Sequence, residues 1–209
     1  MAIAVEIPGL DTIIPQVEDG KIIVVESGAD GVKSFFVRRF ARTALHSGRP
    51  VTFITSRDGP ELSKALLNVF DEPLVQQGAL RVIERDSLEG WDGIDALRGL
   101  LVIDSFSFLT LNISATHLSE LLRRLRLVAH AEKLTVALAT DRGMSGAQSE
   151  AILGHLSDGW IQFHAKEGAE GLIRFLRVPK WMEGTLVDRN IYYEYDGKRL
   201  AIDLRRRVL

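Results

Sequence analysis

Short runs of aliphatic and β-branched residues alternate along the chain with longer stretches whose apolar positions recur every three or four residues. The runs Lys21–Glu26, Val51–Thr55, Leu100–Asp104 and Thr135–Thr140 are apolar at nearly consecutive positions. That pattern predicts strands covered on both faces, and Arg81–Glu84 predicts a shorter one. Between them, Ser34 to Ser47 predicts a helix. A second is expected after Gly59-Pro60, with proline in its first turn and Leu62, Ala65, Leu66 and Val69 on its apolar face. Leu118, Leu121, Leu122, Leu125, Val128 and Ala129 form a core-facing helical stripe. Leu88 to Gly99 carries three glycines and is at most weakly helical. This alternation predicts an α/β fold, a mostly parallel sheet flanked by helices.

The last third changes character. Trp160–His164, Leu172–Val178, Ile191–Tyr195 and Leu200–Asp203 read as strands with no helix between them, and Asp196-Gly197 is a tight hairpin signal. They are expected to be antiparallel C-terminal strands added to the same sheet. Gly143 to Gln148 (GMSGAQ) predicts a mobile loop.

Composition narrows the class without naming a chemistry. A chain of 209 residues and 23.2 kDa, 46% hydrophobic and 26% charged, predicts one domain spanning residues 1–209. A net charge of -2 gives no electrostatic case for nucleic acid. The chain has no cysteine, which removes disulfides and thiolate metal sites. No run is long and apolar enough for a membrane span, and the N-terminus lacks the basic start of a signal peptide, so a cytoplasmic protein with no membrane partner is expected. His46, His117, His130, His155 and His164 stand at no metal-ligand spacing and are expected to pack in the core or on the surface.

The most informative stretch is KIIVVESGADGVKSFFVRRF, Lys21 to Phe40. A strand leads through small residues into Lys33-Ser34 and a helix, the context of a phosphate-binding loop. Such a loop binds anions with converging backbone N–H groups and a helix N-terminus, and its glycines let the backbone approach. Anchored on Lys33-Ser34, the pattern requires glycine at positions 27 and 32, where this chain has Ser27 and Val32. Val32 resists positive φ. Asp30 would repel a bound triphosphate by an amount on the order of several kcal/mol at an effective dielectric near 20. It would also be able to hold Lys33 in an empty site. Gly28 and Gly31 are placed to restore flexibility through a shifted turn.

Taken in order, the segments resemble the RecA superfamily, in its KaiC/RadA-like branch, over nearly the whole chain. Gly9-Leu10-Asp11 resembles the GLD segment ahead of the first strand. Leu100–Ser105 is similar to the Walker B strand, Ser157–Ile161 to the "aDgvi" strand, and Arg177–Lys180 followed by Gly184-Thr185 to a later strand and turn. The resemblance implies a RecA-like P-loop NTPase fold with ATP and Mg2+ as ligands. Gly28, Gly31, Lys33, Ser34 and Asp104 would bind nucleotide, and Ser34 and Asp104 would hold the metal. With Walker A degenerate, ATP binding is expected to be weak or absent. The family's water-activating glutamates fall at Arg57 and Asp58, so Asp58 is the candidate catalytic base, although solvated loop charges are the plainer account of both residues. An Asp104 that only caps a turn stands beside the metal reading. Thr140-Asp141 falls where the family places a γ-phosphate sensor, although an aspartate that merely starts a loop is the plainer account.

The family also reaches a cationic finger into a neighbouring subunit through a Lys and an Arg before Gly-Thr. Here Lys180 remains and Glu183 takes the Arg-like place. Lys180, Trp181 and Met182 are the candidate interface, with Trp181 and Met182 expected on an exposed turn. With cradle, base and finger all altered, the expectation is a non-hydrolysing regulatory or assembly subunit, a pseudo-ATPase that forms a homo-oligomer or pairs with a RecA-family paralogue. A divergent but active ATPase and an accessory single-stranded-DNA mediator are the alternatives. Arg38-Arg39 and Arg205–Arg207 are candidates for a basic patch or a surface for an acidic partner; Arg123, Arg124 and Arg126 are expected on a solvated helix face.

Overall fold

The computed structural model describes residues 2–14, 16–56, 78–168, 171–182 and 187–203. Strands β1 (Ala2–Ala4) and β2 (Gln16–Glu18) form a small antiparallel pair that the sequence pattern does not announce. Among the described residues the main sheet has nine strands. Its order begins with the predicted runs: β3 (Ile22–Ser27), β4 (Val51–Thr55), β5 (Leu80–Glu84), β6 (Leu100–Asp104) and β7 (Thr135–Asp141). It continues with β8 (Gly159–Gly168), β9 (Gly171–Trp181), β10 (Val187–Tyr195) and β11 (Leu200–Ile202). Across the sheet the order is β11-β10-β9-β8-β3-β7-β6-β4-β5.

Strands β5, β4, β6, β7, β3 and β8 are mutually parallel, and β9, β10 and β11 add antiparallel pairs. One expectation is corrected here. The strand that begins at Trp160 is not an antiparallel addition: it runs parallel to β3 in the register Val24↔Trp160. The Asp158 carboxylate sets this junction by accepting the Ile22 N–H at 2.9 Å.

The consecutive apolar residues of the central strands serve two core layers. Ile23 and Val25 face α1 (Val32–His46), which contributes Phe36, Val37, Phe40 and Ala44. Ile22 and Val24 face the opposite layer, with Leu118, Leu122 and Leu125 of α3 (Ala115–Glu132) and Leu153 of α4 (Gly146–Leu156). Between β6 and α3 lies the short α2 (Phe106–Leu109). The α3 stripe is bounded by its own sequence: the Ser114 hydroxyl accepts the His117 N–H, and Lys133 at φ 54 ends the helix.

Three other local expectations change. Residues 88–99 hold only a single 3-10 turn, Gly93–Ala96. The run 143–148 is not all loop, because α4 begins at Gly146 and seats Leu153 and Leu156 in the core. Trp181 is not on an exposed turn. Strand β9 runs on through it, and its indole is 8% exposed, packed over Gly159, where a Cβ would meet the ring at 3.0 Å. Met182 also packs against the core, at φ 31. The helix expected after Pro60 lies outside the described residues. No helix among the described residues is long and apolar enough to cross a membrane.

Candidate functional site

The candidate site forms at the C-terminal ends of β3, β6 and β7, where the residues after β3 enter α1. This is the end of a parallel sheet at which helix N-termini converge. Positive φ is needed once in this turn and falls on Gly31, at φ 76. Val32 is therefore already helical, and its side chain is fully buried in the α1 core layer. The expected conflict between a β-branched residue and left-handed backbone is corrected: the turn has shifted by one residue, and glycine takes the strain.

Asp30 has a different partner from the one expected. Its Oδ1 accepts the N–H of Val32 at 3.3 Å. That N–H belongs to the first turn of α1, whose free amides and positive dipole end would face a phosphate. The chain thus presents its own carboxylate to the helix N-terminus. A Cβ at Gly28 would meet nothing within 4 Å, so the outer side of the turn is open.

Lys33 is 5% exposed, and its ammonium donates to Asp141 Oδ1 at 2.6 Å. Pairing with Asp30, the expected arrangement, does not occur. Asp141 stands at the end of β7, in register with Ser27 of β3. Its other oxygen accepts from the Ser107 hydroxyl at 3.1 Å, and its N–H donates to the same hydroxyl at 2.8 Å. Asp141 therefore locks the lysine to the start of α2.

The third charge in the site is Asp104, which has no exposed surface. Its Oδ1 accepts the Ser34 hydroxyl at 2.9 Å, so Ser34 and Asp104 do meet. Its Oδ2 has no hydrogen-bond partner, but the Arg38 guanidinium lies 3.6 Å away. Arg38 follows Ser34 by four residues and shares its helix face. The arrangement does not fit Mg2+ as it stands, because a cation already neutralises the carboxylate that would hold the metal. Among the described residues no group of three His, Asp or Glu is placed to ligate a metal. Directly after Asp104, Ser105 takes φ 67, a strained conformation for a residue with a side chain.

Beside the site, a second polar cluster ties β3 to β8. Buried Glu26 accepts from Arg142 Nε at 2.6 Å, Trp160 Nε1 at 3.1 Å and Gln162 Nε2 at 3.3 Å. Arg142 also donates to the Phe163 carbonyl at 2.8 Å and lies 3.0 Å from His164 Nδ1. Since arginine only donates, His164 accepts at Nδ1 and carries its proton on Nε2. Burial lowers the His164 pKa from 6.5, and the Arg142 and Arg177 charges lower it further. The sign follows from linkage. A histidine harder to protonate in the folded state gives stability that is complete above about 6.5 and declines as pH falls below it toward the lower folded value. Urea unfolding at pH 7.5 and pH 5 is expected to show this decline, and His164→Gln is expected to reduce it. An equal decline in the variant would assign it to other groups.

The remaining sequence candidates fall elsewhere. Asp58 and Arg57 lie outside the described residues, as do Glu183, Gly184 and Thr185. Lys180 does not project as a free finger: its ammonium donates to the carbonyls of Gly154, at 2.9 Å, and Ser157, and so caps the C-terminal end of α4. Trp181 beside it is buried in the core, and the half-buried Met182 packs against that core. Sequence reasoning missed the pairing of Arg38 with Asp104, and the only signal for it was the spacing from Ser34.

No protein-family model and no curated protein matches the chain. Solved structures do. The flagellar accessory protein FlaH from Methanocaldococcus jannaschii superposes with a TM-score of 0.77 at 17% identity, covering 97% of this chain and 98% of that one. The KaiC-like protein PH0186 from Pyrococcus horikoshii OT3 gives 0.75 at 18% identity, covering 97% and 99%. The chain shares the RecA-like fold of these two structures, a mixed sheet with a parallel centre and antiparallel C-terminal strands.

Proposed function

We propose that this chain is a degenerate KaiC/RadA-like protein that does not hydrolyse ATP and acts as a regulatory or assembly subunit, by self-association or by pairing with a RecA-family paralogue. One observation carries the reading: each charge a nucleotide machine would use is met from within. Asp30 takes an N–H of the helix N-terminus, Asp141 holds Lys33, and Arg38 stands at Asp104. Hydrolysis depends on preorganised cations and donors aimed at developing phosphoryl charge. Here those groups point at each other, and a triphosphate with its metal must displace three internal contacts before it gains any. What remains is a rigid RecA-like scaffold, which supports an interaction role better than turnover.

The test is turnover together with thermal unfolding. With ATP and Mg2+ the wild-type chain is expected to show no turnover above background and no rise in Tm, since a ligand stabilises only by binding the native state. A magnesium-dependent rise is expected to appear first in Arg38→Met combined with Asp30→Gly, where the internal cation and anion are gone. Magnesium-dependent ATP hydrolysis by the wild-type chain, abolished by Lys33→Ala, would refute the proposal and establish the divergent ATPase instead.

A further inference from the structure

His117, Glu120, Leu121 and Arg124 follow one another at three- and four-residue spacings and so share a face of α3. They look across a groove of about 350 Å3 at residues 88–91, the stretch between β5 and the 3-10 turn. Buried Leu88 and Trp91 form one apolar wall, and half-buried Ile113 and Leu121 form the other. The rim is acidic. Glu89 and Glu120 are exposed, and neither carboxylate has a hydrogen bond or ion pair among the described residues. Arg124 does not neutralise them, because its guanidinium is paired with Asp95 and donates to the Asp92 carbonyl at 3.2 Å.

An apolar groove with unspent carboxylates on its rim is complementary to a segment in which arginines precede apolar residues. The chain carries such a segment. Residues 204–209, Leu-Arg-Arg-Arg-Val-Leu, lie outside the described residues and continue from Asp203, whose N–H donates to the Tyr192 carbonyl at 2.9 Å. They cannot fill the groove of their own molecule. The groove is tied to the end of β6, where the Leu88 N–H donates to the Leu109 carbonyl at 3.0 Å. In the sheet, β11 stands six strand spacings from β6, about 29 Å at the usual separation. Six fully extended residues reach about 21 Å.

We infer that the groove between residues 88–91 and α3 receives residues 205–209 of a second copy of this chain, with the arginines against Glu89 and Glu120 and with Val208 and Leu209 against the apolar walls. Donor segment and acceptor groove are different surfaces, so the contact is heterologous and repeats from copy to copy as a ring or a filament. The inference rests on the self-association named in the proposed function and specifies the surfaces that make it.

The experiment is sedimentation equilibrium of the full chain at low salt and pH 8, above the ordinary histidine range. The wild type is expected to gain mass with concentration. Glu89→Lys with Glu120→Lys, and separately Arg205→Glu with Arg206→Glu and Arg207→Glu, are each expected to weaken association at least about tenfold, as exposed ion pairs turned repulsive require. Both sets in one chain are expected to restore association to within about threefold, which only mutual contact allows. Asp11→Lys with Glu167→Lys reverses two exposed carboxylates elsewhere and is expected to change it less than about twofold. The substituted groove residues are exposed, so circular dichroism and Tm are expected to match the wild type. Association that neither reversal weakens, or that the combined set does not restore, would overturn this interface and leave self-association standing. A wild type that stays monomeric up to about 100 µM would overturn it as well. If such a monomer still bound a labelled peptide of residues 204–209, the groove would belong to a basic segment of another protein. ATP turnover would remove the proposed function without touching any of these readings.

Discussion

Replacing Asp104 by alanine is expected to destabilise the protein by about 3 kcal/mol, because breaking a buried ion pair leaves its partner uncompensated. Asp104 has no exposed surface, accepts the Ser34 hydroxyl and faces Arg38, so its loss strands both a hydroxyl and a guanidinium. The estimate sits at the lower end for buried pairs because the Arg38 side chain keeps 16% exposure and a route to a cavity beside it. Arg38→Met is expected to cost less, about 1–2 kcal/mol, since it leaves a carboxylate that still accepts one hydrogen bond. The double variant is the decisive measurement. If the two groups serve each other, it loses less than the sum of the single changes by on the order of 1 kcal/mol or more. Additive urea-unfolding energies would mean that Arg38 does not serve as the cation of this site, and would reopen the carboxylate to metal.

Gly99→Ala is the second large effect. Gly99 takes φ 75 immediately before β6, and a Cβ there would fall far inside the Pro50 carbonyl oxygen and 2.9 Å from Pro50 Cδ. The same carbonyl accepts the Leu100 N–H at 3.0 Å, the contact that starts the β4–β6 pairing. Neither backbone can move without disturbing that register. Left-handed backbone costs about 1–2 kcal/mol for a residue with a side chain, and overpacking adds roughly 1–3 kcal/mol. A loss of about 3 kcal/mol lowers Tm by about 6–12 °C in a chain of this size. Gly48 separates the two costs: its φ is 77 but nothing lies within 4 Å of a Cβ, so Gly48→Ala is expected to show the backbone cost alone. Equal losses in the two variants would show that the Pro50 contact adds nothing.

Much of the fold could be read from periodicity because the central strands are apolar on both faces, which is what a sheet between two helical layers requires. Val51–Thr55 and Leu100–Asp104 match their predicted bounds residue for residue. The pattern failed where packing is non-local. Trp181 sits beside Met-Glu-Gly-Thr and reads locally as the edge of a turn, but its environment is set by Gly159, 22 positions earlier and across the strand pair. The direction of β8 was illegible for a similar reason: nothing in Trp160–His164 says that its neighbour is β3 on one side and β9 on the other. In the site, the residue types were legible and their partners were not. Lys33, Ser34 and Asp104 announce a nucleotide loop, whereas Arg38 and Asp141 acquire their roles only when β7 is laid beside β3 and β6 beside β7.

The clasp between Lys33 and Asp141 has a consequence for anything that approaches the loop from outside. A ligand that needs the free ammonium meets it only in those molecules where the clasp has opened, so its observed affinity is its intrinsic affinity multiplied by that open fraction. A clasp open about one part in a hundred weakens such a ligand about a hundredfold, whatever the quality of the remaining contacts. Ser107 narrows the opening further by bonding the same carboxylate from α2. Release of the lysine is thus a gate shared by two strand ends and a helix, and a partner able to capture Asp141 would hold its key.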